Sequence, residues 1–288
     1  MSFGYIPDFR GKSIFRDLYL RLFGYPYAPR RNEARLVFKL LEPARVTNIL
    51  DIGSGDGVWT NDLAKKRLNV IGLDLKCSDI ATAYSRAKEL GSNSQYVVGD
   101  AQIMPFADEV FDQCYAISVF EHIPDDTKVF SETYRILKPG GVLILSVPSY
   151  RLPLIMRMVA RFPQRWKNLF ASEITRKSKN YEELKNHADI RFKHVRRYDN
   201  ESLILRTKEA GFGLSMLEYN LKFFGDLVNG IIHSLRIFEF EKNNGYRNSG
   251  EIWYAIGFPF VYLLHKLDDL LPIKGCTIVA KFYKSQED

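Results

Sequence analysis

Apolar residues recur along this chain with two periods, one typical of strands and one typical of helices. Apolar runs with strand character occupy 47–52, 70–75, 95–98, 111–116 and 142–147. Stretches with helical period follow the first, second and fourth of these runs, at 59–67, 79–90 and 126–137. This alternation predicts an α/β fold in which helices cover both faces of a parallel sheet, and ligands of such sheets bind beyond the carboxyl ends of the strands.

The regular alternation stops after Pro148 and resumes only late in the chain. A helix is predicted at 200–210, followed by strands at 213–219 and 276–283. The irregular stretches 150–199 and 222–272 are therefore interpreted as insertions after the fifth and sixth strands. Because the ligand loops lie at the same end of the sheet, we expect both insertions to form a substrate lid.

Composition narrows the class of protein. The chain has 288 residues, of which 46% are hydrophobic, and this is enough for one substantial core. Its three cysteines, Cys77, Cys114 and Cys276, are too far apart for a paired metal site or a disulfide framework, which favours a reducing compartment. The first residues show no signal-peptide pattern, so we expect a cytoplasmic protein.

The net charge and the apolar segments of the chain are compatible with contact to an anionic surface. The net charge of +7 permits a phosphate, nucleic-acid or membrane partner without selecting one of them. The apolar run 252–264 is too short to span a bilayer but could lie on one. Peripheral contact with the inner membrane surface is therefore kept as a hypothesis, and the oligomeric state is left open.

A glycine-rich turn follows the first predicted strand, in the stretch ILDIGSGDG. Gly53, Gly55 and Gly57 allow a sharp turn and the close approach of a ligand, although a tight turn without a ligand would also explain them. The dinucleotide fingerprint needs a glycine at the sixth position counted from Gly53, and Val58 stands there. A nucleotide-dependent oxidoreductase is therefore an alternative of lower rank.

Acidic residues stand at the ends of three successive predicted strands. Asp51 is within the first strand, Asp74 ends the second, and Asp100 follows the third. Asp74 lies about 20 residues after the glycine turn. This is the spacing at which a carboxylate of nucleotide-binding folds accepts hydrogen bonds from ribose hydroxyls. Asp100 could accept a hydrogen bond from an exocyclic amine such as that of adenine. Together the three acids indicate a nucleoside ligand.

The stretches ILDIGSGDG, GLDL, VVGDAQIMPFADEVFDQCYAISVFEHI and ILKPGGVLILSVP resemble the class I S-adenosylmethionine-dependent methyltransferases of the small-molecule type. The similarity covers about 47–149 and extends more weakly to HVRRYDNESLILRTKEAGF and the last strand. It implies S-adenosylmethionine as cofactor. It also implies one Rossmann-like domain over 1–288, with a seven-stranded, mostly parallel sheet whose last strand is antiparallel. An N-terminal helical cap would occupy 1–46 and the cofactor-binding core 47–149.

The same resemblance implies a role for each residue of the cofactor site. Asp51, Gly53, Ser54 and Gly55 would wrap the methionine part. Asp74 would bind the ribose, with Leu75 beside the adenine, and Asp100 and the backbone of Ala101 would face the adenine amine. Ile117 and Ser118 would pass near the reacting end of the cofactor.

His122 is the candidate catalytic residue. It follows the fourth strand in Ser-Val-Phe-Glu-His and could act as general base on an acceptor hydroxyl, or it could only position the start of a helix. His187 and His194 are further candidates. Some relatives bind a divalent metal through a Glu-x-x-Glu-His pattern, but Ser118 replaces the first glutamate here, so we expect no metal.

The acceptor is the least constrained part of the function. The chain lacks the Asn/Asp-Pro-Pro-Tyr/Phe and Pro-Cys motifs of nucleic-acid methyltransferases, so we expect no nucleic-acid partner. The insertion 150–199 mixes basic and aromatic residues, which suits a lid over an anionic or sugar-bearing molecule or an amphipathic surface segment. The sequence favours an O-directed methyltransferase acting on a small-molecule, glycan or lipid-linked acceptor. The other alternative is a catalytically silent binding protein with the same fold.

Overall fold

Seven strands form one mixed sheet in the order β3-β2-β1-β4-β5-β7-β6. The computed structural model describes residues 28–42, 48–64, 68–152, 157–158, 161–166, 177, 180–220, 222–224, 263–264, 267 and 270–286. The strands are β1 Asn48–Ile52, β2 Asn69–Asp74, β3 Gln95–Val98, β4 Phe111–Ile117, β5 Leu137–Pro148, β6 Phe212–Asn220 and β7 Thr277–Lys284. Strands β1 to β5 are paired in parallel, and β7 runs antiparallel to both β5 and β6. The predicted Rossmann-like sheet with an antiparallel last strand is confirmed.

Helices connect and cover these strands. They are α1 Ala28–Leu40, α2 Val58–Ala64, α3 Cys77–Leu90, α4 Asp126–Ile136, α5 Tyr181–Phe192 and α6 Asn200–Glu209, with a 3₁₀ turn at Phe120–His122. Capping interactions define the ends of several helices. At the start of α6 the Asp199 carboxylate accepts the Ser202 N–H at 2.7 Å, and Ser202 Oγ accepts the Asp199 N–H at 3.1 Å. At the end of α3, Gly91 takes the left-handed conformation with φ 61°.

The four residues Lys138 to Gly141, with a proline and two glycines, have the composition of a turn before the fifth apolar run. In the structure they lie inside β5, where Leu137 pairs with Phe111 and Val142 pairs with Gln113. The intervening residues form an irregularity opposite Asp112, and Gly140 has a φ of 74° that favours glycine. The strand therefore begins earlier than its apolar pattern indicates.

The central strand β4 divides the core between the two faces of the sheet. Cys114 and Ala116 belong to a large apolar cluster with Phe120 and Phe130, whereas Tyr115 belongs to a second cluster with residues of α1. Both faces of β4 are thus buried, as expected for the middle of a parallel sheet. Among the described residues, no helix is long and apolar enough to cross a membrane.

Parts of the predicted domain plan fall outside the described residues. Of the cap 1–46, only helix α1 and the two residues after it are described. Most of the insertion 222–272 and part of the insertion 150–199 also lie outside them. The division into cap, core and lid therefore stays a prediction.

Candidate cofactor and acceptor site

The glycine turn closes the carboxyl end of β1 against the end of β2. Gly53 N–H and Ser54 N–H both donate to the backbone carbonyl of Leu73, at 2.7 and 2.9 Å. Gly53, Gly55 and Gly57 all have left-handed backbone conformations, with φ of 74°, 53° and 73°. Glycine is the residue that adopts this conformation without steric cost, which explains why three of them occur in five positions.

The three glycines differ in what surrounds them. A Cβ added to Gly53 would lie 2.5 Å from Val119 Cγ2, and one added to Gly57 would lie 2.5 Å from the Tyr96 hydroxyl. A Cβ added to Gly55 would meet no atom within 4 Å. Gly53 and Gly57 therefore allow close packing within the protein, whereas Gly55 borders open space that a ligand could fill. Next to it, the buried Ser54 hydroxyl has no hydrogen-bond partner among the described residues.

Asp74 links the second strand to the glycine turn. Its Oδ2 accepts the Gly55 N–H at 2.9 Å and its Oδ1 accepts the Lys76 N–H at 2.9 Å. A carboxylate offers about four lone-pair sites, so two amide donors leave capacity for further hydroxyl donors. The arrangement fits the predicted contact with a ribose.

Asp51 is a buried carboxyl group behind the turn. Its Oδ2 accepts the Thr60 hydroxyl hydrogen at 2.6 Å. Burial raises the pKa of Asp51 to about 7, an effect that the hydrogen bond from Thr60 opposes and the nearby Asp74 charge reinforces. Near neutral pH this carboxyl group is therefore close to the midpoint of its ionisation.

The predicted adenine-binding residues follow β2 and β3 at the same edge. The Gly99 N–H donates to the Asp74 carbonyl at 3.0 Å, which ties the Asp100 loop to the end of β2. Asp100 accepts the Gln102 backbone N–H at 2.8 Å, and the Gln102 side-chain amide lies 3.2 Å from both carboxylate oxygens. Leu75 is 68% exposed and Ala101 half-buried, as surface-lining residues of a site would be. Ile103, which sequence reasoning did not select, is 76% exposed beside them.

The end of β4 carries a strained serine that is held by helix α1. Ser118 has a φ of 53°, unusual for a residue other than glycine, and its Oγ donates to Glu33 Oε1 at 2.7 Å. The Ser146 hydroxyl of β5 donates to the same oxygen. Ile117, half-buried, packs against the cluster that contains α1. The buried Glu33 was not predicted, because nothing in its local sequence marks it as more than a helical glutamate.

The candidate base His122 lies in a group with Glu121 and His194. His122 Nε2 is 3.8 Å from Glu121 Oε1, and the two imidazole rings are 5.0 Å apart between centroids. The backbone Val195 N–H donates to the Glu121 carbonyl at 2.8 Å, which joins the segment after α5 to the 3₁₀ turn after β4. The side chain of His187, also a candidate, lies outside the described residues.

The insertion 150–199 is anchored at both ends beside the carboxyl end of β5. Tyr198 N–H donates to the Pro148 carbonyl and Tyr150 N–H donates to the Tyr198 carbonyl, both at 3.1 Å. The buried Arg197 side chain donates to the Ser149 carbonyl, also at 3.1 Å. The insertion therefore leaves and rejoins the domain at the edge that carries the glycine turn and the acids.

Comparison with known sequences identifies the class of protein that this fold and site define. The family described as "Methyltransferase domain" matches residues 50–145. The chain is 34% identical over 136 residues to a sterol 24-C-methyltransferase of Yarrowia lipolytica, which covers 46% of this chain and 35% of that protein. It is 30% identical over 161 residues to a ubiquinone biosynthesis O-methyltransferase of Azorhizobium caulinodans, covering 52% of this chain and 59% of that protein.

Solved structures show the same fold at low sequence identity. A methyltransferase from Thermotoga maritima, described as a possible histamine N-methyltransferase, aligns with a TM-score of 0.53 at 20% identity, covering 94% of this chain and 96% of that chain. A phosphoethanolamine N-methyltransferase 2 of Haemonchus contortus in complex with S-adenosylmethionine aligns with a TM-score of 0.53 at 20% identity. The alignment covers 96% of this chain and 61% of that chain. The [4+2]-cyclase SpnF aligns with a TM-score of 0.54 at 16% identity, covering 88% of this chain and 82% of that chain. These likenesses concern the fold alone.

Residues 50–145 match a methyltransferase domain, and this match together with the methyltransferase relatives supports S-adenosylmethionine as the cofactor. The open cradle at Gly55 and the unpartnered Ser54 hydroxyl fit such a ligand. When bound, S-adenosylmethionine supplies a methyl group activated by a positively charged sulfur. The chain spans only about a third of the sterol relative and about three-fifths of the ubiquinone-pathway relative.

Proposed function

We propose that this protein transfers a methyl group from S-adenosylmethionine to an oxygen atom of a small-molecule, glycan or lipid-linked acceptor. The observation that carries the proposal is the joining of the glycine turn to Asp74, within the segment that matches the methyltransferase family. This arrangement is a rigid, polar cradle at the carboxyl edge of a parallel sheet, where such folds bind their ligands.

In this proposal each predicted residue has one task. Asp51 and the turn residues Gly53, Ser54 and Gly55 hold the methionine part of the cofactor. Asp74 accepts hydrogen bonds from the ribose, and Asp100 and the Ala101 backbone recognise the adenine beside Leu75. Ile117 and Ser118 line the reacting end, where the bond between Ser118 and Glu33 fixes the backbone.

The choice of oxygen as acceptor atom rests on the relatives and on His122. The relatives are described as acting on carbon, oxygen or nitrogen, and the O-methyltransferase matches the largest share of its own length among the first three. His122 is proposed as general base for an acceptor hydroxyl, with Nε2 as proton acceptor because Nδ1 lies 3.2 Å from the Lys193 carbonyl.

The insertions 150–199 and 222–272 are proposed to cover the acceptor. Lys185 Nζ lies 4.9 Å from the centroid of the Tyr150 ring, so a cation and an aromatic ring meet where the first insertion begins. Lys222 Nζ donates to the Leu271 carbonyl at 2.7 Å, which brings the two ends of the second insertion together. A basic, aromatic cover of this kind suits an anionic or sugar-bearing molecule.

Peripheral contact with the inner membrane surface, by an otherwise cytoplasmic protein, is part of the proposal. Leu263, Leu267 and Leu270 are spaced by four and three residues and are 55%, 37% and 78% exposed. Helical spacing of exposed leucines in a protein of net charge +7 favours an anionic bilayer surface. Flotation with anionic vesicles at low salt tests this part separately, and a protein that stays at the bottom of the gradient removes it.

The central test combines binding and transfer. Calorimetry should show binding of S-adenosylmethionine and of its demethylated product, and methyl-labelled cofactor should label a compound in the aqueous or the lipid fraction of a host extract. Release of the labelled methyl group by ester hydrolysis or by ether cleavage would identify an oxygen acceptor, whereas a label that survives both would indicate carbon or nitrogen. Cofactor binding without labelling of any fraction would favour the silent binding protein, and absence of binding would refute the proposal.

A further inference from the structure

Two imidazoles and a carboxylate converge beyond the carboxyl end of β4. Glu121, His122 and His194 each offer one ligand atom, and these atoms all lie within 4.8 Å of one another. We propose that these three residues bind a divalent transition-metal ion, and we commit to zinc. The proposal departs from the sequence-based expectation of no metal, which counted only Glu121 and His122 because His194 is distant in the sequence.

The hydrogen bonds of the two rings orient them as metal ligands. His122 Nδ1 lies 3.2 Å from the Lys193 carbonyl oxygen, and His194 Nδ1 lies 3.3 Å from Asp189 Oδ1. Both of these oxygens can only accept, so in a neutral ring Nδ1 carries the hydrogen and Nε2 carries the lone pair. Metal-binding histidines in proteins are fixed in this way by a carbonyl or a carboxylate on the other nitrogen.

The partner of His194 is itself held in place. Arg197 Nε and Nη2 lie 2.7 and 2.6 Å from Asp189 Oδ1, and the Arg197 side chain is buried. This fixed ion pair keeps the Asp189 carboxylate beside the ring, and it belongs to the same segment that anchors the insertion to β5. The carboxylate, the imidazole and the proposed metal would therefore form the triad that orients and strengthens a histidine ligand.

The two segments that carry the ligands are fixed to each other. The Val195 N–H donates to the Glu121 carbonyl at 2.8 Å, and Arg196 Nη1 donates to the Ile123 carbonyl at 2.7 Å. The Glu121 side chain is only 1% exposed. The ligand set is therefore preorganised, with no large movement needed to bind an ion.

The donor set matches the chemistry of zinc. Two histidines and one glutamate are the ligands of catalytic zinc sites that keep an open coordination position, whereas magnesium and calcium prefer oxygen ligands. The open position would bind an oxygen of the acceptor, a role that rests on the proposed function, although metal binding itself does not. Zinc and the general-base role compete for His122 Nε2, so the zinc titration below decides between them: bound zinc would polarise the acceptor oxygen in place of the base.

The test uses the full-length chain after treatment with a chelator. Calorimetric titration with zinc should show one site per chain, and cobalt should give the visible absorption of a site with nitrogen ligands. We expect His194→Ala and Glu121→Gln to abolish the site, and Asp189→Asn to weaken zinc binding by about 10- to 100-fold. Glu201→Gln, which alters an exposed glutamate in the first turn of α6, is the matched control and should bind zinc like wild type.

Two outcomes would overturn the proposal. One is a wild-type chain that binds neither zinc nor cobalt, a measurement that does not depend on the folding of any variant. The other is a His194→Ala variant with the zinc affinity of wild type. Calorimetry of S-adenosylmethionine with the metal-free chain separates this result from the proposed function, since loss of the metal site leaves the residues around Gly55 and Asp74 unchanged.

Discussion

The carboxylate of Asp74 accepts the backbone N–H of Gly55, with 2.9 Å between Oδ2 and the amide nitrogen. This bond joins the end of β2 to the turn after β1 through protein atoms alone. The carboxylate proposed to bind the ribose and the glycine proposed to border the cofactor therefore hold one geometry. Such preorganisation lowers the cost of binding, since little has to be ordered when the ligand arrives.

Replacing Asp74 should weaken cofactor binding strongly. We expect Asp74→Ala to reduce the affinity for S-adenosylmethionine by about 1.5–3 kcal/mol, because charge-assisted hydrogen bonds to the ribose are lost. Asp74→Asn should lose less, since its carbonyl oxygen still accepts. Calorimetry measures both variants, with Glu89→Ala at an exposed position of α3 as the control. Unchanged affinity in Asp74→Ala would show that this carboxylate does not contact the cofactor.

Alanine at two glycines of the turn should have different effects. In Gly55→Ala the new methyl group meets open space, so the protein should lose only the roughly 1–2 kcal/mol of a left-handed alanine while cofactor affinity falls. In Gly53→Ala the methyl group would lie 2.5 Å from Val119, so stability should fall further. Thermal unfolding and calorimetry on both variants separate the effects. Full cofactor affinity in Gly55→Ala would argue against a ligand beside this residue.

Asp51 should make stability depend on pH. Its pKa is about 7 in the folded protein, raised by burial, and about 3.9 in an unfolded chain. Between these values the folded state holds a proton that the unfolded state lacks, so the free energy of unfolding should fall by about 1.4 kcal/mol per pH unit as pH rises from about 4 to 7.

The variant Asp51→Asn isolates this contribution from that of Asp56, whose pKa burial also raises. Urea unfolding of wild type and variant across the window should show their stability difference changing with pH and levelling off above about pH 7. A constant difference between pH 4 and 7 would mean that Asp51 does not hold its proton in the folded state.

The bond network of Glu33 should contribute to stability. Glu33→Ala would leave the hydroxyls of Ser118 and Ser146 without this acceptor in a buried place, and we expect a loss of about 1–3 kcal/mol. Glu33→Gln retains an accepting oxygen and should lose less. The control is Glu42→Ala, whose side chain is 48% exposed and pairs with Lys281, so its loss should stay within about 1 kcal/mol. Equal unfolding free energies for Glu33→Ala and Glu42→Ala would contradict the predicted role.

The sequence determined the parallel part of the sheet and the edge at which we propose that the cofactor binds. Apolar runs on both faces of each strand, separated by helical periods, permit few arrangements other than a parallel sheet covered by helices. Residues directly after such strands must meet at one edge, and Asp74 and Gly55 do so. Glycines in left-handed conformations can also be predicted from the sequence, because a local backbone requirement selects the residue type.

Only the tertiary structure decided contacts between segments that lie far apart in the chain. Strand β5 begins at Leu137 because this residue pairs with Phe111 of β4. The turn-like residues that follow Leu137 give no sign of this pairing in the sequence. Glu33 reaches Ser118 because α1 packs across the sheet, and His194 reaches His122 because the segment after α5 returns to the end of β5. None of these pairs has a local signature, because periodicity and turn chemistry report on neighbours in sequence, whereas these contacts depend on how distant segments pack together.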